Sequence, residues 1–441
     1  MFEKFKSYIR KEKLFEPTDK ILLTVSGGMD SVVMLELFHQ AGFEFGIAHV
    51  NFKLRGDESD GDQLFVQGLA KKYNALLHIN SFDTKEYAKK YKLSTQMAAR
   101  ELRYQFFEEI RKEFDYQYIA TAHHTDDQVE TLFINLLRGT GIAGLRGILP
   151  KQNGLIRPLL FAKREEIVNF RVEHNLPYRE DSSNASDNYL RNKIRHQLMP
   201  ALEGLDANYL DLLNANMKRF GESEQIYKQH INLVRSELQF QKSGRIYISV
   251  EKLKKYSPLV TYLFELLKPF GFLFSQAEDI VQSLDHESGK HFFSETHELL
   301  KDREYLIIRD KQLAQANNTL EIDESTESID FPICLKFKKL SLLDYFVMPT
   351  HHNIGALDYA KLKFPLTIRK WEEGDVFCPL GSKFKKKLSN FFIDRKFNLF
   401  EKEDAYLLCS GEDIVWIIGH QLDDRFKITD KTKDVFWVEF Q

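Results

Sequence analysis

The chain has 441 residues, of which 43% are hydrophobic and 29% charged, and its formal net charge at pH 7 is −3. This length exceeds what one hydrophobic core usually sustains, so we expect two or three domains. The nearly balanced charge excludes binding of nucleic acid through a positive field over the whole surface, so local basic patches would have to hold any such partner.

Cysteine spacing and the length of apolar runs argue against a disulfide-rich, zinc-binding or membrane-spanning protein. The three cysteines, at positions 334, 378 and 409, lie far apart and form no C-x-x-C pair, which argues against a disulfide framework or a zinc site. No apolar run reaches the roughly 20 residues that a transmembrane helix needs. We therefore expect a cytoplasmic protein without a membrane partner.

The first half of the chain alternates short apolar runs with amphipathic stretches. The predicted strands are residues 20–25, 45–50, 75–79 and 118–121, and the predicted helices are residues 32–38, 59–73 and 95–114. Strands that alternate with helices in this way form a parallel sheet covered by helices. The pattern therefore predicts an α/β fold with a doubly wound parallel sheet.

The second half of the chain is patterned differently. An Asn-rich stretch at residues 179–192 leads into a helical pattern at 208–238, and residues 312–328 are polar enough to form a linker. Short alternating runs at 414–418 and 435–440 indicate strands. The predicted domains are a catalytic α/β domain at residues 1–207, a helical/mixed domain with a linker at 208–325, and a small β-rich α+β domain at 326–441.

A glycine-rich loop joins the first predicted strand to the first predicted helix. This glycine loop consists of Ser26, Gly27, Gly28, Met29, Asp30 and Ser31. Backbone N–H groups at the start of a helix favour a bound anion, and glycines let the backbone approach phosphate closely. The loop contains no lysine, so it is not a Walker A sequence, and it lacks the G-x-G-x-x-G of a dinucleotide site. An ordinary glycine-rich turn is the alternative.

The glycine loop resembles the S-G-G-x-D-S loop of the N-type ATP pyrophosphatases, the PP-loop superfamily, which cleave ATP between its α and β phosphates. The resemblance implies that the loop holds the pyrophosphate part of ATP, within an adenine nucleotide alpha hydrolase-like domain. A carboxylate beside polyphosphate is repelled unless a divalent cation lies between them. Asp30 is therefore the candidate ligand for Mg²⁺, held together with the ATP phosphates.

A second motif, T-A-H-H-T-D-D-Q-V-E-T, occupies residues 121–131 directly after a predicted strand. Thr125 and Gln128 fit a capping box that would begin a helix. Asp126 or Asp127 would share a face of that helix with Glu130, near the strand ends where doubly wound sheets bind ligands. The alternative is that these carboxylates only stabilise the helix dipole.

Two adjacent histidines, His123 and His124, stand beside these acids and suit metal or proton chemistry, although such a pair is often structural. The whole block at 121–131 looks like the signature block of the tRNA(Ile)-lysidine synthetases. Further blocks that resemble this family lie at residues 49–62, 99–107, 138–147, 157–160, 179–196 and 368–392. Three positions depart from the family pattern, with Phe52 where His is common, Gln96 where Glu is often found, and Asn390 where Asp is usual.

This resemblance implies a ligase that joins L-lysine to carbon 2 of the wobble cytidine in the CAU anticodon of tRNA(Ile). ATP first adenylates the cytidine, and the lysine amine then displaces AMP, which changes codon reading from AUG to AUA. The implied cofactors are ATP and Mg²⁺. The candidate catalytic residues are Asp30, Asp127, Glu130, His123 and Arg100. Which acid does which task stays open at this stage, as does the choice between a monomer and a homodimer.

Basic residues supply candidate contacts for phosphate and RNA. Arg100 and Arg103 lie one helical turn apart, which suits forked contacts with phosphate, although exposed arginines at such spacing are often only solvated. The candidate tRNA-binding residues in two other basic clusters are Arg191, Lys193, Arg195, Lys385, Lys386 and Lys387. Phe384, Phe391 and Phe392 are interleaved with the lysines, and these rings either stack on nucleotides or belong to the core.

Three other functions are compatible with parts of the sequence. A tRNA thiolase of the same superfamily commonly carries catalytic cysteines in or near the nucleotide domain, and no cysteine precedes residue 334. An AMP-forming amidating ligase would need a supply of ammonia. A non-catalytic RNA-binding protein would have no use for an intact glycine loop and an acid-rich helix.

Overall fold

The computed structural model describes residues 1–54, 56–180, 190–286, 288–314, 319–342, 349 and 351–441. The chain splits into two compact units, Met1–Lys228 and Gln229–Gln441. The division into three domains at residues 207 and 325 stays a prediction. Among the described helices, none has the length and apolarity that a membrane crossing requires.

The first unit contains a six-stranded sheet and the helices around it. Its strands are β1 (Ile21–Thr24), β2 (Phe45–Asn51), β3 (Leu76–Ser81), β4 (Tyr118–Ala120), β5 (Lys151–Gln152) and β6 (Leu155–Ile156). Its helices are α1 (Phe2–Lys11), α2 (Met29–Ala41), α3 (Asp57–Lys72), α4 (Thr84–Tyr91), α5 (Thr95–Glu113), α6 (Thr125–Arg138), α7 (Ile142–Leu145), α8 (Arg164–Glu173), α9 (Leu190–Lys193), α10 (Met199–Leu205) and α11 (Tyr209–Leu238), the last of which runs past the division. A π-helical turn, Ile194–Leu198, connects α9 to α10.

The sheet has the order β3-β2-β1-β4-β6-β5, and only β5 runs antiparallel to its neighbour. Both faces are covered, because alternate residues of β1 enter different cores. Ile21 and Leu23 pack with α2 and α3 on one face, whereas Leu22 packs with Phe106 and Phe107 of α5 on the other. The prediction of a doubly wound parallel sheet is confirmed.

Strand order also places the predicted motifs together. The strands β1, β2 and β4 are neighbours, and each of them leads into a loop at its carboxyl end. The glycine loop follows β1, and the motif at residues 121–131 follows β4. Doubly wound sheets bind ligands at this edge, where the strand order reverses.

The second unit begins with an antiparallel sheet and continues into a β-rich region. Its strands are β7 (Gln239–Lys242), β8 (Arg245–Ser249), β9 (Lys290–Phe293), β10 (His297–Lys301), β11 (Tyr305–Asp310), β12 (Leu320–Ile322), β13 (Ser328–Ile329), β14 (Leu335–Ser341), β15 (Ile354–Asp358), β16 (Leu366–Lys370), β17 (Val376–Phe377), β18 (Lys386–Lys387), β19 (Tyr406–Ser410), β20 (Asp413–Ile417), β21 (Gln421–Leu422) and β22 (Asp434–Phe440). Its helices are α12 (Val250–Leu253), α13 (Leu259–Leu267), α14 (Phe274–Ser283), α15 (Leu388–Asp394) and α16 (Leu399–Glu403). The predicted mixed and β-rich character of this half is confirmed.

The predicted linker at residues 312–328 is wrong in part. Leu320–Ile322 forms strand β12, which pairs antiparallel with β16, and Ile322 is buried in the core between two sheets. Ser328–Ile329 forms a second short strand. These strands were not predicted because the surrounding residues are polar. An edge strand buries few apolar side chains, so its hydrophobic pattern is weak.

A glycine in β2 provides a test of this packing. A Cβ at Gly46 would overlap the hydroxyl of the buried Tyr116, which hydrogen-bonds His78 at 3.1 Å. We expect Gly46→Ala to lower the free energy of unfolding by about 1–3 kcal/mol, measured by urea denaturation of the whole chain. Gly68→Ala is the matched control, because nothing lies within 4 Å of a Cβ on that helical glycine. It should gain about 0.5–1 kcal/mol, and equal effects of the two changes would contradict the packing described here.

Candidate active site

A cavity of about 820 Å³ lies in the first unit at the carboxyl ends of β1, β2 and β4. Its wall combines the glycine loop, the end of β2, the first turns of α5 and the residues after β4. The lining includes Thr24, Ser26, Gly28, Asp30, Ser31, His49, Phe52, Gln96, Arg100, Arg103, Tyr104, His123 and Arg191. The structure thus brings seven of the predicted site residues to one cavity: Ser26, Gly28, Asp30, Ser31, Arg100, His123 and Arg191.

The glycine loop is folded around its own hydroxyl groups. Ser31 Oγ donates to Gly28 O at 2.8 Å and lies 3.3 Å from Ser26 Oγ. Gly27 has φ +94°, which a residue with a side chain rarely adopts. Gly28 is the N-cap of α2 and no side chain caps this helix end. The first N–H groups of α2 therefore face the cavity edge as donors for an anion.

In the part of the chain that the structure describes, Asp30 has a free carboxylate oxygen that could bind a cation. Its Oδ1 is buried and makes no hydrogen bond within the described residues. Burial raises the pKa of Asp30, with the nearby His124 and Arg164 acting against this effect. No three His, Cys, Asp or Glu side chains of the described chain are arranged to hold a metal by themselves. The residues therefore fit Mg²⁺ only when phosphate oxygens complete its ligands.

His124 lies at the buried centre of three carboxylates. Its Nδ1 is 3.3 Å from Asp126 Oδ2, and its Nε2 is 3.6 Å from Asp127 Oδ2 and 3.8 Å from Asp30 Oδ2. Burial alone would lower the pKa of His124, but these carboxylates outweigh it and raise the pKa. The three acids thus face one histidine ring.

His123 has the opposite character. Burial lowers its pKa to about 4, although the charge of Asp127 opposes the shift. Its Nδ1 lies 2.9 Å from Thr121 Oγ1. The two adjacent histidines are therefore different groups: His123 lines the cavity and has a lowered pKa, whereas His124 is buried among carboxylates and has a raised pKa.

The start of α6 differs from the prediction by one residue. His124 is the N-cap, and its N–H donates to Asp127 Oδ2 at 3.0 Å. The predicted capping box of Thr125 and Gln128 is wrong, because Thr125 Oγ1 donates instead to Leu160 O at 3.1 Å. The shift makes Asp127 both a helix cap and a member of the site.

Asp127 and Glu130 share a face of α6 and pair with two arginines. Glu130 is fully buried, and its two oxygens accept from Arg191 Nε and Arg195 Nε, both at 2.6 Å. Arg191 Nη2 also donates to Asp127 Oδ1 at 3.0 Å. Burial raises the pKa of Asp127, but His124 and Arg191 outweigh it and lower the pKa. Asp127 is therefore ionised at neutral pH, next to the cavity.

Asp126 points elsewhere. Its Oδ2 accepts from Arg164 N at 3.0 Å, at the first residue of α8. Of the two aspartates that the sequence offered as partners of Glu130, Asp127 is the one that shares its arginines.

Arg179 holds the glycine loop in place, a role that was not predicted from the sequence. Its N–H donates to Gly27 O at 3.0 Å, and its Nε donates to Asp62 Oδ1 at 2.5 Å. A Cβ on Gly61 would lie 2.9 Å from the Arg179 guanidinium. His49 holds the same region from β2, since its Nδ1 donates to Val25 O at 2.8 Å. Only the position of Arg179 in a family-like block pointed to it.

The predicted RNA contacts fall into two groups. Arg191 and Arg195 pair with the buried acids of α6, while Lys193 is exposed. In the second unit Lys385 and Lys387 are exposed, and Lys386 pairs with Asp394. Phe391 and Phe392 are buried and pack against Phe377 and Trp371, so they are core residues and cannot stack on nucleotides. The role of the basic residues stays a prediction.

Comparison with family models divides the chain into three matched segments. Residues 2–202 match the PP-loop domain, residues 241–311 match the TilS substrate binding domain, and residues 366–437 match the TilS substrate C-terminal domain. The first match contains the whole cavity described above.

Relatives match the chain over its full length. The tRNA(Ile)-lysidine synthase of Parabacteroides distasonis is 40% identical and covers 100% of both chains. That of Bacteroides thetaiotaomicron is 39% identical over 97% of both, and that of Clostridium perfringens is 31% identical over 100% of this chain and 99% of the relative. The chain belongs to the tRNA(Ile)-lysidine synthase family. In this member of the family, the departures Phe52 and Gln96 both line the cavity, whereas Asn390 is exposed on α15.

A solved thiolase is only distantly similar to this lysidine synthase family member. The U34-tRNA thiolase NcsA from Methanococcus maripaludis is 20% identical, with 50% of this chain and 78% of that chain covered and a TM-score of 0.42. This level of similarity says nothing about activity.

Proposed function

We propose that this protein ligates L-lysine to carbon 2 of the wobble cytidine in the CAU anticodon of tRNA(Ile), with conversion of ATP to AMP and pyrophosphate. The proposal rests above all on one observation. The glycine loop, which has no lysine, lines one cavity together with Asp30, whose Oδ1 makes no hydrogen bond within the described residues, and Arg191, which pairs with the acids of α6. The chain that carries this cavity matches lysidine synthases over its full length.

The first step joins the cytidine to AMP. The carbonyl oxygen at carbon 2 attacks the α phosphorus, the bond between that phosphorus and the bridging oxygen breaks, and pyrophosphate leaves. The glycine loop holds the β and γ phosphates through the N–H groups at the start of α2. Mg²⁺, held by Asp30 and phosphate oxygens, would neutralise charge on the departing pyrophosphate. Arg100, on the cavity wall, supplies a fork for the backbone phosphate of the bound cytidine.

The second step replaces AMP by lysine. The ε-ammonium gives a proton to solvent water, its nitrogen attacks carbon 2, and AMP departs with the former carbonyl oxygen. Asp127, whose pKa is lowered, attracts the ammonium by its charge. His123 stays neutral and offers a hydrogen bond, and Glu130 acts through Arg191 and Arg195, because both of its oxygens are occupied by them.

The decisive experiment measures incorporation of labelled lysine into a tRNA with a CAU anticodon, together with the products of ATP. Lysine incorporation that depends on ATP and yields AMP would support the proposal. Incorporation of sulfur, or formation of ADP and orthophosphate, would replace it with another function. Location in the cytoplasm is part of the proposal and needs its own localisation measurement.

Two exposed lysines of the second unit, Lys385 and Lys387, are expected to bind the tRNA backbone together with Lys386, which would exchange Asp394 for a phosphate. We expect the triple change of Lys385, Lys386 and Lys387 to Ala to weaken tRNA binding about tenfold at physiological salt. The slope of log K against log salt should fall in magnitude by about 2 to 3, because three phosphate contacts disappear. ATP binding should be unchanged. A filter-binding salt titration with the wild-type slope would contradict this assignment.

A further inference from the structure

Two arginines of α5 stack on aromatic rings along one wall of the cavity. The guanidinium carbon of Arg103 lies 5.0 Å from the ring centroid of Phe52, and that of Arg100 lies 5.0 Å from the ring centroid of Tyr104. All four side chains line the cavity that also contains the glycine loop. Both arginines are exposed, and neither has an ion pair within the part of the chain that the structure describes.

The backbone fixes Phe52 in its place at the end of β2. The hydroxyl of the buried Thr84 donates to Phe52 O at 3.0 Å, and the N–H of Lys53 donates to Asn51 Oδ1 at 3.0 Å. Both bonds act on the peptide group that follows Phe52, and the N–H of Phe82 holds the preceding peptide group by donating to Asn51 O at 3.0 Å. Its position is therefore set before any ligand arrives, which lowers the entropic cost of stacking on it.

The positive charge of Arg100 and Arg103 indicates whether adenine or an RNA base would stack on this wall of the cavity. The phosphates of ATP already have their donors in the glycine loop, so an adenine subsite would need no further cations. The guanidiniums of Arg100 and Arg103 instead suit a second phosphate group beside a second base. An unstacked nucleotide of RNA brings both, a flat ring and its own backbone phosphate.

We propose that the Phe52–Arg103 pair is the seat on which the target pyrimidine of the RNA stacks, with Arg100 at its phosphate. The inference rests on the proposed function, because it assumes an extruded cytidine. It also gives a physical meaning to Phe52, which stands where the family pattern commonly has His. Either ring can stack on a base, so the seat needs an aromatic side chain there.

The test measures the fluorescence of a base analogue at the wobble position. A CAU tRNA with the fluorescent analogue pyrrolocytidine at the wobble position should lose emission when it binds the wild-type protein, because stacking quenches this base. Phe52→Leu should remove most of that quenching. It should also lower kcat/KM for tRNA in lysine incorporation roughly tenfold, a typical loss for one stacked base. The Kd for ATP, measured by calorimetry without tRNA, should change less than twofold.

Matched variants separate stacking from folding. Phe52→Tyr and Phe52→His should keep quenching and turnover close to wild type. Tyr91→Ala, which removes another exposed ring with a lysine over it outside the cavity, should change nothing. If Phe52→Leu does not fold, Arg103→Gln must reproduce the loss of quenching.

Three results would overturn the inference. They are unchanged quenching in both Phe52→Leu and Arg103→Gln, a tenfold weaker ATP Kd in Phe52→Leu, which would assign the wall to adenine, and equal losses in Phe52→His and Phe52→Leu. A wild-type protein that quenches the base yet incorporates no lysine would instead refute the proposed function and leave the seat standing.

Discussion

Asp30→Asn is expected to lower lysine incorporation about 100- to 1000-fold, the usual loss when a group that stabilises transition-state charge is removed. The change keeps the size of the side chain and removes its charge. Asn cannot hold a cation between itself and the phosphates as a carboxylate can. Because Oδ1 of Asp30 has no partner within the described residues, the substitution breaks no hydrogen bond of that oxygen. Labelled lysine transfer and AMP release should fall together.

The control for this prediction is Asp115→Asn, an exposed position with φ +56° that asparagine also tolerates. It should retain wild-type rates. Asp30→Asn should still unfold near the wild-type temperature, since the buried negative charge that it removes is costly in the absence of a cation. Transfer within tenfold of wild type at saturating Mg²⁺ would refute the role of Asp30.

Local patterns in the sequence predicted the sheet well. The runs at 45–50 and 118–121 correspond to strands Phe45–Asn51 and Tyr118–Ala120, and the helical stretch at 95–114 corresponds to Thr95–Glu113. These segments are short and apolar or strongly amphipathic, so hydrophobic periodicity decides their structure. The edge strand Leu320–Ile322 was not predicted because its neighbours in the sequence are polar. Only its pairing with β16 shows that it is a strand.

The site was predictable where a motif keeps its residues close in sequence. The glycine loop and the block at 121–131 each form one corner of the cavity, because β1 and β4 are adjacent. Pairings across long separations were not predictable. The sequence presented Arg191 and Arg195 as a basic cluster for RNA, and nothing local shows that their partner is Glu130, which lies 61 and 65 residues earlier.

The two histidines show a further limit of sequence reasoning. Their identical side chains and adjacent positions gave no basis for separate roles. Burial without sufficient compensating charge lowers the pKa of His123 to about 4, whereas three carboxylates raise that of His124. Only the fold decides which ring faces the carboxylates, because it sets the direction in which the chain turns from β4 into α6.

Glu130→Gln is expected to lower lysine incorporation about 100-fold, because the two arginines that it orients would keep only Asp127 as a charged partner beside the cavity. The free energy of unfolding should also fall, by about 2 kcal/mol. Removing one partner of a buried ion pair usually costs more, but Arg191 is 41% exposed and Arg195 26%, so water partly replaces the lost carboxylate. Thermal unfolding and transfer at a temperature where the variant is folded measure the two effects separately.

Glu224 is the matched control within the same unit. It is also a buried glutamate held by two cations, Arg146 and Lys228, but none of these residues lines the cavity. We expect Glu224→Gln to lower stability by a similar amount and to leave the rate of lysine transfer per folded molecule unchanged. If both variants lose transfer in proportion to their loss of stability, Glu130 is only a structural residue. If Glu130→Gln alone loses transfer, the buried carboxylate contributes to catalysis through the arginines that it holds, without touching the substrate.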